Sequence, residues 1–144
     1  AARPALLVAD EPTGSLDPDA ATLVIDALTR SRRDGGCGLL LITHDFALAR
    51  RTCRSLVVMF AGRVLEVLPA DAEPRHPYTS ALATCAAGAP APPALDPPAV
   101  AGCPYAPRCP LVGAACRDAV PDLATIAPGH ESRCPVTARN PETH

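Results

Sequence analysis

The chain has 144 residues, 48% of them hydrophobic but only 3% aromatic, with no tryptophan and a formal net charge of −2. Its 13 basic residues are all arginine and lie scattered, so nothing favours a nucleic-acid partner. No apolar run approaches the length needed to span a bilayer, and no secretory leader pattern is present.

The first element is an apolar run, Leu6-Leu7-Val8-Ala9, that ends in two adjacent carboxylates, Asp10 and Glu11. It reads as a buried strand delivering both carboxylates to its C-terminal end, where ligands of open α/β sheets sit. Carboxylates there suit a metal-bound phosphate, because Mg²⁺ takes one or two of them together with phosphate oxygens. A turn through Gly14, Ser15 and Leu16 leads into a helix. Asp17 is its N-cap, Pro18 holds the first helical position, and Asp19 adds negative charge to the first turn. Ala21, Val24, Ile25 and Leu28 form one apolar face. Arg30, Arg32 and Arg33 suit the C-terminal end, and Gly35-Gly36 stops the helix.

A second apolar strand over residues 38–42 ends in Thr43-His44-Asp45. Strand, helix, strand in this order predicts a right-handed crossover and parallel pairing. Asp10-Glu11 and Thr43-His44 then emerge at one edge. Asp45 caps a short helix reaching residue 53, and strands over 55–60 and 63–67 form a hairpin turned by Ala61-Gly62.

Composition changes abruptly after this hairpin. Of 18 prolines, 3 fall in residues 1–68 and 15 in residues 69–144. Three segments result: an α/β part over residues 1–87, a polyproline-like Pro/Ala spacer over 88–101, and an irregular Pro/Cys-rich tail over 102–144. Thr79 can cap a helix that runs through residue 87. An α/β part this small, with few aromatics, is poorly equipped to bury a full core.

Four of the seven cysteines cluster in the tail as Cys103, Cys109, Cys116 and Cys134, with spacing C-x5-C-x6-C-x17-C. Cys103, Cys109 and Cys134 each precede a proline, which holds the cysteine in extended geometry and suits presentation on loops. A metal centre, disulfides and free thiols all remain open on this spacing. Structural zinc usually uses C-x2–4-C pairs, which are lacking, and stable disulfides are rare in the cytosol. Cys37, Cys53 and Cys85 read as small packing residues. His76 and His130 read as turn or surface residues, with His130 a neighbour of Cys134.

Residues 6–17, LLVADEPTGSLD, resemble the Walker B strand and D-loop of ABC-type ATPases, and residues 38–45, GLLLITHD, resemble their H-loop. Residues 75–82, RHPYTSAL, resemble the His-Pro-Tyr-Thr segment of the oligopeptide/dipeptide (peptide/nickel) importers, whose ATPases also end in a similar four-cysteine tail. The resemblance implies the C-terminal part of a P-loop NTPase fold with parallel strands and a crossover helix. Asp10 would hold Mg²⁺ through water, Glu11 would orient and polarise the attacking water, and His44 would contact the γ-phosphate. Ser15 and Asp17 of the D-loop would join the nucleotide site, Asp17 crossing a dimer interface. Cys103, Cys109, Cys116 and Cys134 would ligate a [4Fe–4S] cluster, with Zn²⁺ as the alternative. The implied partners are a second ATPase subunit in a homo- or heterodimer, transmembrane permease subunits and, indirectly, an extracytoplasmic substrate-binding protein. The implied location is the cytoplasmic face of the membrane, as a peripheral subunit. Two details depart from the family: its D-loop commonly reads Thr-Ala-Leu-Asp, and the glycine usual after the hairpin glutamate is missing at Glu66-Val67.

No G-x-x-x-x-G-K-[ST] run, no glycine-rich signature and no lysine occur. A phosphate without its backbone-amide cradle binds poorly. The expectation is therefore a C-terminal fragment of an ATP-hydrolysing transport subunit, with little or no ATPase activity alone. The alternative is a non-catalytic iron–sulfur or zinc module, or the remnant of a disrupted transporter gene.

Overall fold

The computed structural model describes residues 4–90 and 97–137. Residues 1–3 lie outside that range. So do residues 91–96 of the Pro/Ala stretch read as a polyproline spacer over 88–101. The chain divides into two compact units, Ala1–Cys53 and Arg54–His144.

The first unit is built on two strands, β1 (Leu6–Asp10) and β2 (Gly38–Ile42), which pair in parallel with Leu6 opposite Gly38 and Asp10 opposite Ile42. Helix α1 (Pro18–Gly35) connects them. Its N-cap is Asp17, whose Oδ1 accepts from the backbone N–H groups of Asp19 (3.1 Å) and Ala20 (2.9 Å). Gly36 closes it in the left-handed conformation, with Arg32 and Arg33 in the last turn where the helix dipole favours positive charge. Ile25, on the predicted apolar face, is buried. The short helix α2 (Phe46–Thr52) is capped by Asp45, which accepts from Leu48 N–H at 2.9 Å.

Burial alternates along both strands rather than being continuous. Leu6, Val8, Leu40 and Ile42 are all about half exposed, whereas Ala9 on the opposite face is buried. The first strand was read as buried; here one face of the pair is open.

The second unit holds a four-stranded sheet in the order β3-β4-β6-β5. β3 (Ser55–Phe60) and β4 (Arg63–Pro69) form the hairpin. Ala61 (φ 48°) and Gly62 (φ 75°) both occupy the left-handed region, as a two-residue type I′ turn requires. The tail is more regular than its composition indicates. β5 (Ala124–Ala127) and β6 (His130–Ser132) make a second hairpin, and β6 pairs antiparallel with β4, placing Glu66 opposite Ser132 and Val67 opposite Glu131. The tail prolines flank these strands instead of interrupting them, which is why the sheet tolerates them. Hairpin and tail thus share one sheet, whereas the sequence grouping placed them in separate segments.

Helix α3 (Pro77–Ala86) begins at the His-Pro-Tyr segment. Its cap is His76, not Thr79. Thr79 lies fully buried one turn in, and its hydroxyl makes no hydrogen bond. The core of this unit gathers Leu65, Cys103, Tyr105, Ala106 and Cys116, with Phe60, Tyr78, Cys109 and Val112 packed against them. Three of the few aromatic rings meet there, with centroids 4.8 Å apart for Phe60–Tyr78, 5.3 Å for Tyr78–Tyr105 and 5.8 Å for Phe60–Tyr105. The scarce aromatic area is concentrated on one centre, where each ring also gains the tilted or edge contacts such pairs prefer.

Candidate functional site

Parallel pairing brings the C-terminal ends of β1 and β2 side by side, and the chain locks them there. Glu11 N–H donates to Ile42 carbonyl oxygen at 2.9 Å, so the residue after β1 extends the ladder by one rung. Glu11 itself has φ 43°, the left-handed region that costs a non-glycine residue about 1–3 kcal/mol. That twist turns its carboxylate back toward the end of β2. Glu11 Oε1 receives both the backbone N–H of His44 and its ring Nδ1, each at 3.0 Å.

This double contact determines the histidine's tautomer. A carboxylate oxygen accepts, so the Nδ1 facing it carries the proton, and Nε2 is left for another partner. The His44 side chain is 83% exposed and that of Glu11 40%, so the pair sits open to a ligand. Asp10 is exposed at the terminus of β1, in register with Ile42. Asp10, Glu11 and His44, expected together from the sequence, therefore share one edge. Ser15 and Asp17 lie in the exposed turn beyond it, and the Asp17 carboxylate is engaged as the α1 cap.

The second cluster lies in the other unit. Cys103, Cys116 and Cys134 are buried and Cys109 is half-buried. Burial pushes the Cys109 thiol up to about 11, and the neighbouring Cys134, Cys103 and Cys116 act in the same direction. Burial likewise raises Cys103, with Cys116 and Cys134 adding to it. Cys103 and Cys109 thus sit in poorly hydrated surroundings, with Cys116 and Cys134 close by. Cys103 N–H donates to Cys116 carbonyl oxygen at 2.8 Å, pinning two of the cysteine loops together. Gly102 makes this approach possible. With φ +73°, a Cβ on it would stand 2.3 Å from Cys116 O and 2.7 Å from Arg117 O.

Among the described residues, no group of three or more His, Cys, Asp or Glu side chains is arranged to hold a metal ion. Neither Asp10 nor the set Cys103, Cys109, Cys116 and Cys134 forms a ready single-ion site. Cys37, Cys53 and Cys85 are half-buried and free of disulfides.

His76 and His130 are not surface residues: they are 1% and 5% exposed. Both converge on Glu66, which is fully buried on β4. Glu66 Oε1 accepts from His130 Nε2 (2.7 Å) and from Arg75 N–H (2.7 Å), and Oε2 accepts from His76 N–H (3.1 Å). Burial lowers the His76 pKa from 6.5 to about 4, against the opposing pull of Glu66. A carboxylate within an otherwise apolar strand was the one signal in the sequence that could have revealed this network, because a glutamate there must find donors.

Comparison with known proteins agrees with both regions. Residues 66–116 match the family model described as the oligopeptide/dipeptide transporter, C-terminal region. Along 93% of its length the chain is 38% identical to the dipeptide transport ATP-binding protein DppD of Escherichia coli, covering 45% of that protein. It is 34% identical to the probable peptide ABC transporter ATP-binding protein y4tR of Sinorhizobium fredii, over 93% of this chain and 44% of the relative. It is also 38% identical to the oligopeptide transport ATP-binding protein OppD of Mycobacterium tuberculosis, over 91% of this chain and 24% of that protein. The chain spans less than half the length of these curated relatives.

Proposed function

We propose that the chain is part of an ATP-binding protein of the oligopeptide/dipeptide transporter kind, to which its similarities point, and that its β1–β2 edge is the Walker B and H-loop part of an ATP-hydrolysing site that powers peptide import. The observation that carries this reading is the Glu11–His44 contact at 3.0 Å across the ends of two parallel strands. In this reading Asp10 holds Mg²⁺ from the exposed end of β1. One carboxylate suffices there, because water and phosphate oxygens complete the shell of this ion. Bound Mg²⁺ supplies charge neutralisation on the phosphates.

Glu11 orients the attacking water and draws on its proton. His44, held by Glu11 through Nδ1–H, turns Nε2 outward, where it needs a second proton to donate to a phosphate oxygen. This is catalysis by positioning and electrostatic stabilisation. Ser15 and Asp17 contribute from the D-loop. The phosphate cradle is supplied by none of these residues, so the chain alone should turn over little ATP. The proposed partners are a second ATPase subunit and the permease subunits, at the cytoplasmic face of a membrane; no helix among the described residues is long and apolar enough to cross one.

For the tail we propose a [4Fe–4S] cluster on Cys103, Cys109, Cys116 and Cys134. Donor chemistry supports it: Cys103 and Cys116 lie in one apolar cluster with Cys109 packed against it, and Cys134 is buried as well. Zn²⁺ on the same four thiols is the alternative. When bound, the cluster would cross-link the tail and supply one-electron redox chemistry.

The test of the ATPase reading is Glu11→Gln in a polypeptide that carries this segment joined to the remaining length of such relatives. ATP turnover should fall by about 10²–10⁴-fold while ATP binding persists. Turnover within a few fold of the unaltered protein would overturn the role of Glu11.

A further inference from the structure

His76 takes no part in the ATPase reading, yet its backbone and ring are both held. Its backbone N–H is bound by Glu66 Oε2 at 3.1 Å, and the preceding N–H, that of Arg75, by Glu66 Oε1 at 2.7 Å. Its Nδ1 accepts the N–H of Tyr78 at 3.1 Å, the bond that caps α3. A ring nitrogen that accepts carries no proton, so the proton of the neutral imidazole sits on Nε2. Nε2 faces Sγ of Cys103 at 3.9 Å, and with the residues 1% and 6% exposed little water competes for either.

We infer that His76 donates an Nε2–H···Sγ hydrogen bond to Cys103 and is the positioning residue that orients this sulfur within the four-cysteine pocket. The direction follows from the tautomer: Nε2–H can only donate, so the sulfur must accept. The first residue of the His-Pro-Tyr segment and the first cysteine of the tail are thereby one functional pair, joined through the cap of α3. A sulfur carrying negative charge accepts more strongly than a thiol, so the bond strengthens when Cys103 ligates a metal. That consequence rests on the cluster reading; the contact itself does not. At an iron–sulfur centre, hydrogen bonds to the ligand sulfurs favour the reduced, more negative state and raise the reduction potential.

The contact is read directly on the full, ¹⁵N-labelled, metal-free chain by long-range proton–nitrogen correlation of the imidazoles. The expected spectrum has His76 protonated at Nε2, with a slowly exchanging proton whose resonance shifts on Cys103→Ser and stays in place on Cys85→Ser. An Nδ1-protonated ring, or a resonance indifferent to Cys103, overturns the inference. Cys103 lies in the core, so His76→Asn gives a second reading that leaves the cysteines intact. Asparagine is a good N-cap and can keep the Tyr78 bond, but it is too short to reach the sulfur. After anaerobic loading with iron and sulfide, the His76→Asn chain should show a lower midpoint potential than the unaltered one, and an equal potential counts against the contact. Failure of the unaltered chain to take up iron and sulfide defeats the cluster reading alone. The imidazole spectrum still upholds or overturns the contact in that case.

Discussion

Glu66 and His130 stand 64 residues apart in sequence and meet at 2.7 Å with both side chains out of water. The contact joins β4 to β6 through side chains, beside the strand pairing that joins them through the backbone. Because Glu66 also accepts from two backbone N–H groups, it serves three donors, those of His130 and His76 buried and that of Arg75 part-buried. Glu66→Ala would orphan all three, at a cost of about 3–5 kcal/mol. Glu66→Gln retains size but offers one acceptor oxygen where two are used, and should cost about 1–3 kcal/mol. Urea unfolding followed by circular dichroism measures both, and a loss below about 1 kcal/mol in the alanine variant would mean that water reaches these donors.

His76 makes the second unit sensitive to acid. Its folded pKa, lowered by burial to about 4, lies below the unfolded value of 6.5. The unfolded chain therefore binds more protons between these values, and stability rises with pH through that window. The contribution is complete above about pH 6.5 and is lost as pH falls toward about 4, amounting to roughly 3 kcal/mol. Unfolding midpoints of the metal-free chain from pH 4 to pH 7 should show this slope, and His76→Asn should flatten it. A slope that survives in the variant would assign the effect to other groups.

The local signals of the sequence were strong wherever one residue type answers one backbone need. Asp17 and Gly36 bound α1, and Ala61-Gly62 turns the hairpin, because caps and tight turns are decided within a few residues. That the ends of β1 and β2 would emerge at one edge was legible as well, since strand–helix–strand order leaves little freedom in which ends adjoin, whereas the direct Glu11–His44 contact was not. What escaped were the long-range partners. Nothing local says that Glu66 will bury itself on His130, or that β6 will add to β4 from a proline-rich tail. A histidine beside a proline looks like a turn residue until a distant carboxylate and a distant cysteine enclose it.

Asp17 has two candidate roles, and its geometry separates them. Its Oδ1 already accepts two backbone N–H groups at the start of the 18-residue helix α1. Asp17→Ala should therefore cost about 1 kcal/mol of stability. Asp17→Asn keeps the cap and should cost little. If Asp17 also acts across a dimer interface through its charge, the asparagine variant in the longer polypeptide would lose ATP turnover while keeping the unfolding midpoint. Equal loss of midpoint and turnover in both variants would reduce Asp17 to a helix cap.

Gly102 is the tightest steric point of the cysteine pocket. Its left-handed φ of +73° already disfavours any side chain, and a Cβ there would meet two carbonyl oxygens at 2.3 and 2.7 Å. Neither oxygen can swing away as a flexible side chain would, because Cys116 O is held by Cys103 N–H. Gly102→Ala must therefore separate the loops of Cys103 and Cys116, at a cost of about 3 kcal/mol or more from strain and overpacking together. The same displacement would carry Cys103 away from His76, so the Nε2–H resonance should shift alongside the unfolding midpoint. Gly113→Ala, where a Cβ meets nothing within 4 Å, is the matched control and should leave both unchanged. A Gly102→Ala chain as stable as this control would mean that the two cysteine loops are not in the close contact on which the pocket depends.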